Sequence, residues 1–186
     1  MHVAKLSFGP YDNNVYVIEC ARTHQALIVD ASAPPERLQK EIQDMKVAGI
    51  LMTHGHPDHW VYIDDLNERF GGSVFVHPGG HSYGDVTPLS EGDLQVGGLK
   101  MDVLHTPGHT SDSMCLVVDG FLFSGDALFP AGPGKTHDPG GFDQTMASLD
   151  RLFALPDSTR VCPGHGLDTT IGRERPYLET WRARGW

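Results

Sequence analysis

The feature that most constrains this chain is the segment 53–59, with the sequence THGHPDH, which directly follows the apolar run Ile50-Leu51-Met52. It places four side chains of the metal-ligating type close together: His54, His56, Asp58 and His59. This order is typical of a buried strand that ends in a loop of ligands, because the strand end fixes the backbone and the loop lets alternate side chains converge. Imidazoles and a carboxylate suit a borderline-soft divalent ion, so we expect zinc here, with iron and manganese as competitors.

Size and composition restrict what else the chain can be. A length of 186 residues predicts one domain, spanning 1–186. The formal net charge of −10 argues against a nucleic-acid-binding surface, which normally needs a basic face. No apolar run reaches the length of about 18 residues that crosses a bilayer, and the amino terminus lacks an apolar signal segment, so we expect no membrane partner and a cytoplasmic location. Three cysteines without a CxxC pair predict buried free thiols rather than disulfides.

Local patterns predict a mixture of strands and helices. Runs rich in branched and aromatic residues predict strands at 3–8, 14–20, 26–30, 50–53, 73–77, 94–96, 99–104, 114–118, 121–124 and 160–162. Helical spacing predicts a first helix that opens near Pro34, carries Val47 as its last apolar position and ends at Gly49. Further helices are predicted at 60–70, 142–154 and 174–184, and Gly-rich loops at 78–84 and 130–141. This order predicts an α+β fold of two mixed sheets with helices outside, a four-layer arrangement.

Three further loops carry ligand-type residues, and each follows a strand-like run. They are TPGHT with His109, SGD with Asp126, and PGHG with His165. Gly and Pro beside each ligand allow tight turns and a close approach of the backbone. With the four residues already named they make seven side chains, too many for one four-coordinate zinc. We therefore predict two metal ions that share a bridging carboxylate, for which Asp126 is the natural candidate.

This ordered set of motifs, HxHxDH followed by a later His, a later Asp and a final His, resembles the metallo-β-lactamase superfamily over essentially the whole chain. The resemblance implies an αββα sandwich with the metals in a groove at one edge of the sheets. It also implies how the ligands are divided between two metals. The first metal would be held by His54, His56 and His109, the second by Asp58, His59 and His165, with Asp126 touching both.

Within the superfamily the chain is most similar to the short glyoxalase II-like group. The motifs that carry this likeness are TPGHT at 106–110, GDALF at 125–129, GPGK at 132–135 and PGHG at 163–166. Flavodiiron-type proteins carry Glu at the position of His56, subclass B1 β-lactamases carry Cys at the position of Asp126, and the nuclease branches are usually longer. Residues 166–186 alone follow the last motif His, so we expect the additional helical C-terminal domain of full-length glyoxalase II to be missing.

That group implies a metal-dependent hydrolase that cleaves a thioester such as S-lactoylglutathione, with a hydroxide that bridges two zinc ions per chain as the nucleophile. Asp58 and Asp126 would be the catalytic carboxylates, Asp58 orienting the nucleophile and Asp126 holding the ions together. Lys135 matches the family position that contacts the glutathione part of the substrate, and a solvated lysine in a loop is the plain alternative. The expected partner is a small molecule such as a glutathione thioester.

Other interpretations of the same residues stay open. Persulfide dioxygenases resemble this group and use a single iron, so counting ligands does not exclude them. The iron ligands would be the equivalents of His54, His109 and Asp126. A zinc lactonase or β-lactamase-like hydrolase would use the same hydroxide on esters or amides, and a non-catalytic metal-binding protein is a third alternative.

Three residues outside the ligand set are candidates for supporting roles. Asp30 follows the predicted strand at 26–30 and is a candidate to accept a hydrogen bond from a ligand imidazole. Trp60 and Tyr83 are candidates for one wall of a substrate groove, although aromatic residues near a helix start are more often part of the core. The sequence leaves the oligomeric state open.

Overall fold

The computed structural model describes residues 1–80 and 84–185, and within them two six-stranded sheets form the centre of the molecule. The first sheet contains the strands β1 (His2–Phe8), β2 (Asn13–Cys20), β3 (Gln25–Val29), β4 (Lys46–Leu51), β5 (Ser73–Val76) and β6 (Val86–Pro88), in that spatial order. The first three strands are antiparallel neighbours, whereas β3 to β6 run parallel to one another. This sheet is mixed, as the sequence predicts.

The remaining strands belong to a second sheet and a small ribbon. In chain order they are β7 (Gly92–Val96), β8 (Leu99–His105), β9 (Met114–Val118), β10 (Phe121–Gly125), β11 (Leu128–Phe129), β12 (Gly132–Pro133), β13 (Arg160–Pro163) and β14 (Thr169–Thr170). Within the described residues the second sheet has the spatial order β14-β13-β10-β9-β8-β7, and β11 pairs with β12 in a separate ribbon. The pair β10–β13 is parallel and the other pairs of this sheet are antiparallel, so the second sheet is mixed as well.

Helices cover the outer faces of both sheets. They are α1 (Pro35–Ile42), α2 (Ile63–Phe70), α3 (Pro139–Leu152), α4 (Ile171–Glu174) and α5 (Leu178–Arg184), with short 3₁₀ turns at Pro57–His59 and Arg175–Tyr177. The first two helices pack on the first sheet through a cluster that includes Leu38, Ile42 and Leu66. Helices α3 and α5 pack on the second sheet through a cluster that includes Leu149 and Trp181.

The apolar pattern along the strands explains these layers. In β2, Val17 lies in the cluster beneath α1 and α2, whereas Ile18 lies in the cluster between the two sheets. In β10, Leu122 lies beneath α3, and Phe123 lies between the sheets. Side chains of a strand point alternately to opposite faces, so a strand covered on both faces is apolar throughout. The predicted α+β fold, a four-layer αββα sandwich, is confirmed.

The predicted end of the first helix is wrong. Helix α1 ends at Ile42 rather than at Gly49, because the residues from Lys46 onward form β4 and pair in parallel with β3. Val47, predicted as the last apolar position of that helix, lies in this strand and pairs with Ala26. A short apolar run fits either periodicity, and pairing with a neighbouring strand decides between them.

Three other helix starts also differ from the prediction. Helix α5 begins at Leu178 rather than at residue 174, because a 3₁₀ turn at Arg175–Tyr177 precedes it. Helix α2 begins at Ile63 rather than at residue 60, because a 3₁₀ turn precedes it. Helix α3 begins at Pro139, inside the segment predicted as a loop, because the Asp138 carboxylate accepts a hydrogen bond from the Gly141 N–H and caps the helix. The short strands β6, β11, β12 and β14 were not predicted, since two or three residues carry no periodicity of their own.

Part of the predicted loop at 78–84 lies outside the described residues, and the candidate groove residue Tyr83 lies there too. The three cysteines are buried free thiols, as predicted. No helix within residues 1–80 and 84–185 combines the length and hydropathy that a bilayer span requires. That 1–186 forms one domain stays a prediction.

Candidate metal centre

Four loops bring the predicted ligands to one edge of the sandwich. The segment 53–59 follows β4 of the first sheet, and the loops with His109, Asp126 and His165 follow β8, β10 and β13 of the second sheet. Strands β8 and β10 are both antiparallel to β9, and β10 is parallel to β13, so these three strands end at the same edge. The strand order therefore brings four segments that are distant in the chain close together at this edge.

Four of the predicted ligands form what we call the first group. Its members, each with one ligand atom within 4.8 Å of the others, are His54, His56, His109 and Asp126. The Nδ1 atom of His56 is 3.1 Å from Nε2 of His54 and 2.9 Å from Nε2 of His109. Asp126 Oδ2 lies 3.5 Å from His109 Nε2. These separations are close to the roughly 3.3 Å between the ligands of a tetrahedral ion whose metal–nitrogen bonds are about 2.0–2.1 Å long.

The remaining three predicted ligands form the second group. Its members, within the same 4.8 Å limit, are Asp58, His59 and His165. His59 Nε2 and His165 Nε2 are 3.2 Å apart, and Asp58 Oδ2 lies 3.4 Å from His165 Nε2. Asp126 faces this group too, because its Oδ1 is 3.5 Å from His59 Nε2 and its Oδ2 is 3.4 Å from His165 Nε2. The structure thus brings together all seven predicted residues, with Asp126 between the two groups.

Hydrogen bonds on the far side of three imidazoles fix which ring nitrogen carries the proton. The pairs are His59 Nδ1 to Asp30 Oδ2 (2.8 Å), His109 Nδ1 to the Lys135 carbonyl oxygen (2.7 Å) and His165 Nδ1 to the Tyr11 carbonyl oxygen (2.9 Å). Because a carbonyl or carboxylate oxygen only accepts, each Nδ1 carries a hydrogen, and Nε2 is the ring nitrogen that faces the cluster. As predicted, Asp30 accepts a hydrogen bond from an imidazole of the cluster.

Asp30 also holds the start of the ligand loop. Its Oδ1 accepts from the Thr53 N–H at 2.8 Å, and its Oδ2 accepts from the Thr53 hydroxyl at 3.0 Å. That hydroxyl lies 3.0 Å from Nδ1 of His54, so one carboxylate supports an imidazole in each group. The backbone of Asp30 has a φ of 63°, in the left-handed region that Asp tolerates better than most residues. This turn aims the carboxylate at both partners.

Two observations indicate that the cluster suits divalent cations. Imidazole nitrogens face one another at 2.9–3.2 Å, and two facing lone pairs repel unless a proton or a cation lies between them. Asp126 Oδ1 is buried and accepts no hydrogen bond from the described residues, although buried polar atoms normally have a partner. A cation satisfies both conditions, and imidazoles with carboxylates are a donor set that zinc and iron accept.

The electrostatics of the metal-free cluster divide its members into neutral and charged forms. Burial lowers the pKa of His54 and of His109, which keeps both rings neutral. Burial also opposes a charge on His59, but the Asp30 carboxylate outweighs it and raises the pKa of His59 to about 9. The pKa of Asp126 lies below its ordinary value, because neighbouring imidazoles outweigh the burial that would raise it. A metal that binds here must displace protons, so binding should depend on pH.

Two glycines leave no room for a side chain next to the cluster. A Cβ atom at Gly164 would overlap Asp126 Oδ1 and lie 2.7 Å from Cε1 of His59. A Cβ atom at Gly134 would overlap the carbonyl oxygen of Asp126 and lie 3.0 Å from Nδ1 of His109. Bare backbone therefore packs directly against both groups.

The residues predicted to face the substrate differ in their exposure and in their contacts with the cluster. Lys135 is exposed, and its ammonium group makes no hydrogen bond or ion pair with the described residues. Its carbonyl oxygen instead accepts from His109. The indole N–H of Trp60 donates to the carbonyl oxygen of His54 at 2.7 Å, which ties this ring to the ligand loop. The exposed ring of His137 lies 6.2 Å from the ring of His56, measured between centroids.

Two buried asparagines at the start of β2 contact the cluster or the loop that carries His165 and were not predicted. Asn13 Nδ2 donates to Asp58 Oδ2 at 2.8 Å, and Asn14 Nδ2 donates to the carbonyl oxygen of Pro163 at 2.8 Å. Two amides directly before an apolar strand were a usable signal, since buried amides need partners. The carbonyl oxygen of Tyr11 left no signal, because any residue type supplies one.

The sequence pattern of the Metallo-beta-lactamase superfamily matches residues 8–165, a range that contains all seven residues of the cluster. This chain belongs to the metallo-β-lactamase superfamily. The hydroxyacylglutathione hydrolase of Xylella fastidiosa (strain 9a5c) is 36% identical over 83% of this chain, and the matched region spans 60% of that enzyme's length.

Two solved structures are similar along nearly the whole chain. The crystal structure of ETHE1 from Myxococcus xanthus is 32% identical, with a TM-score of 0.83 over 96% of this chain and 83% of that one. The crystal structure of TTHA1623 in a di-iron-bound form is 31% identical, with a TM-score of 0.78 over 92% of this chain and 96% of that one. Together with the cluster of His and Asp side chains, these likenesses indicate a metal-dependent superfamily member suited to divalent ions.

Proposed function

We propose that this protein is a metal-dependent hydrolase that cleaves a thioester such as S-lactoylglutathione and holds two zinc ions per chain. The observation that carries the proposal is the position of Asp126, whose carboxylate oxygens lie 3.4–3.5 Å from imidazole nitrogens of both groups. Two adjoining ligand sets that share a carboxylate suit two-metal hydrolysis better than a single structural ion does.

The first group would hold one ion, and the second group together with Asp126 would hold the other. When bound, the ions would polarise the substrate carbonyl and lower the pKa of a water molecule toward neutrality. Asp58 would orient that water as a hydrogen-bond acceptor, because it is the more exposed of the two cluster carboxylates. Burial raises the pKa of Cys115 and of Cys162 to about 12, so neither thiol is available as a nucleophile.

The Lys135 side chain and one related enzyme support a glutathione thioester as the substrate. The Lys135 ammonium is free of partners among the described residues, and the carbonyl oxygen of the same residue is bonded to His109 of the first group. A glutathione thioester carries carboxylates that such a cation would bind. The likeness to the hydroxyacylglutathione hydrolase of Xylella fastidiosa supports this substrate class.

We assign the activity to the cytoplasm, with the small-molecule substrate as the partner. All three cysteines are buried free thiols, as is usual for proteins of a reducing compartment. The net charge of −10 supplies no broad basic surface for a nucleic acid.

The experiment that tests this proposal is hydrolysis of S-D-lactoylglutathione by protein whose metal content has been measured. We expect turnover by protein that contains about two zinc ions per chain, as in other two-metal sites. Asp58→Asn should keep its fold and lose turnover, whereas Asp65→Asn, the same change on an exposed position of α2, should leave turnover unchanged. No turnover by fully metallated protein would contradict the thioesterase proposal.

A mononuclear-iron persulfide dioxygenase is the second candidate, and three of the four members of the first group support it. His54, His109 and Asp126 lie together as two imidazoles and one carboxylate, the ligand type of non-haem iron oxygenases. Oxygen consumption with glutathione persulfide by iron-loaded protein would establish this activity. Thioester turnover without oxygen consumption would exclude it.

A further inference from the structure

The start of β2 carries two consecutive asparagines that are unusually buried for their chemistry. Asn13 is 4% exposed, and Asn14 is fully enclosed. Burying an amide costs free energy unless it is hydrogen-bonded. The partners of these two side chains therefore indicate why they lie there.

Asn13 is bonded to Asp58. Its Nδ2 donates to Asp58 Oδ2 at 2.8 Å and approaches the Asp58 carbonyl oxygen at 3.4 Å. The same Oδ2 faces the second group, 3.4 Å from His165 Nε2 and 3.8 Å from His59 Nε2. Because the side chain of Asp58 is partly exposed, it would be free to turn toward solvent without this amide. Asn13 thus keeps the carboxylate directed at the two imidazoles.

Asn14 is bonded to the loop that carries His165. Its Nδ2 donates to the carbonyl oxygens of Pro163 at 2.8 Å and Gly166 at 3.0 Å, on the two sides of the imidazole-bearing residue. Its main-chain N–H donates to the carbonyl oxygen of Gly164 at 2.7 Å. One residue therefore holds the turn 163–166 at three carbonyl groups.

Two backbone contacts of the segment 11–14 involve His165 itself. The carbonyl oxygen of Tyr11 accepts from His165 Nδ1 at 2.9 Å, and Asn13 pairs with His165 as an isolated β-bridge. Within the described part of the chain, no hydrogen bond joins residues 11–14 to the first group. Of the two groups, the second is thus the one to which this segment is hydrogen-bonded in the described part of the chain.

We propose that Asn13 and Asn14 are positioning residues for the second metal, which set Asp58 against His165 and so determine whether the second group binds a cation. The inference rests on the proposed two-metal function. Partners that orient metal ligands typically contribute about 10–100-fold in metal affinity. Loss of the Asn13 amide weakens the second binding step by that factor and leaves the first step unchanged.

The test is a metal titration of the metal-free full chain, with Zn²⁺ followed by calorimetry and Co²⁺ by absorption. We expect two binding steps for the wild type. For Asn13→Ala we expect an unchanged first step and a second step weaker by about 10–100-fold. Asn67→Ala, the same change at an exposed position of α2, is the matched control and should titrate like the wild type. Thermal unfolding of each metal-free variant reports whether the fold is retained.

A second variant covers the case in which Asn13→Ala does not fold. In Asn13→Ser the hydroxyl is too short to reach Asp58, so the same selective loss is expected with a smaller disturbance of packing. Equal affinities for wild type and variant, equal weakening of both steps, or a wild type that binds one ion only would each overturn the inference. A wild type that binds two ions and shows the selective loss, yet leaves S-D-lactoylglutathione intact, would refute the proposed hydrolase while supporting this inference.

Discussion

The first and second groups adjoin one another but are built in different ways. In the first group the exposed fractions of the side chains are 1% for His54, 9% for His109 and 10% for Asp126, and His56 is half-buried. In the second group His59 is fully enclosed, whereas Asp58 is 36% and His165 is 22% exposed. The first group is thus the more enclosed of the two, although His56 is half-buried like Asp58 and His165.

The difference follows from where the supporting contacts originate. The predicted ligands of the first group lie in loops that directly follow β4, β8 and β10, strands of the two central sheets. The second group depends on residues 11–14 and 163–166, segments from opposite ends of the chain that meet only in the folded protein. Enclosed ligands lose less freedom when a metal binds. We therefore expect the first group to bind its ion more tightly than the second.

The largest effect is expected from the residue that the two groups share. Asp126→Asn removes the carboxylate between them, so the second ion should be lost and turnover should fall by more than the roughly 10–100-fold typical of an outer-shell partner. Metal analysis and the thioester assay measure both effects. The control is Asp143→Asn on the exposed face of α3. If Asp126→Asn binds two ions and keeps full turnover, Asp126 is not a ligand.

Stepwise metal removal tests the order of affinities directly. A chelator of graded concentration should withdraw the second-group ion first, with loss of turnover, and the first-group ion only later. Restoring zinc to about 100 times its dissociation constant should stabilise the fold by about 2.7 kcal/mol, or roughly 5–10 °C in Tm for a chain of this size. Elemental analysis and thermal unfolding follow the two steps. Simultaneous release of both ions would show that the two groups do not differ in metal affinity.

A smaller effect is expected at the carboxylate behind the second group. Asp30→Asn leaves one acceptor oxygen in place of two, so either His59 Nδ1 or the Thr53 N–H loses its acceptor. The second binding step should therefore weaken by about 10–100-fold. It should also lower the free energy of unfolding by about 1–3 kcal/mol, because a buried donor is left without a partner. Titration and denaturant unfolding measure these, with Asp44→Asn in an exposed turn as the control. Unchanged second-step affinity would show that Asp30 serves stability alone.

The same variant has a consequence for pH in the metal-free protein. Burial opposes the charge on His59, but Asp30 raises its pKa from 6.5 to about 9. Stability from this ion pair is therefore fully present below pH 6.5 and is lost as pH rises through about 9. Asp30→Asn should lack that component of the pH dependence, which unfolding curves recorded across this range would detect.

The smallest effect is expected on the substrate side. Lys135→Ala leaves the carbonyl oxygen that binds His109 in place, so both metal-binding steps should stay as in the wild type. Loss of an exposed charged hydrogen bond should raise KM for S-D-lactoylglutathione by roughly 3–10-fold, less than for an enclosed one. Lys40→Ala on α1 is the matched control. An unchanged KM would mean that Lys135 is an ordinary solvated lysine.

What the sequence predicted well was local, and what it missed depends on distant partners. The segment 53–59 is recognisable in the sequence because its predicted ligands are neighbours in the chain. The four layers were predictable because several strands are apolar on both faces. Asn13 and its partner Asp58 are 45 positions apart, and Asn14 and its partner Pro163 are 149 positions apart. No local pattern encodes such pairs. The short strands and the early end of α1 were missed for the same reason, since pairing partners define them.

The bare backbone at Gly164 has a consequence for how this chain tolerates change. Any side chain there would collide with Asp126 and His59, so a library of single substitutions selected for function should keep glycine alone at that position. Three residues later, Leu167 is 80% exposed and should accept almost any replacement. One short loop thus combines a position closed to variation with a position open to it. Substitutions at exposed positions of this loop could therefore change the surface of the protein without moving the side chains of the cluster.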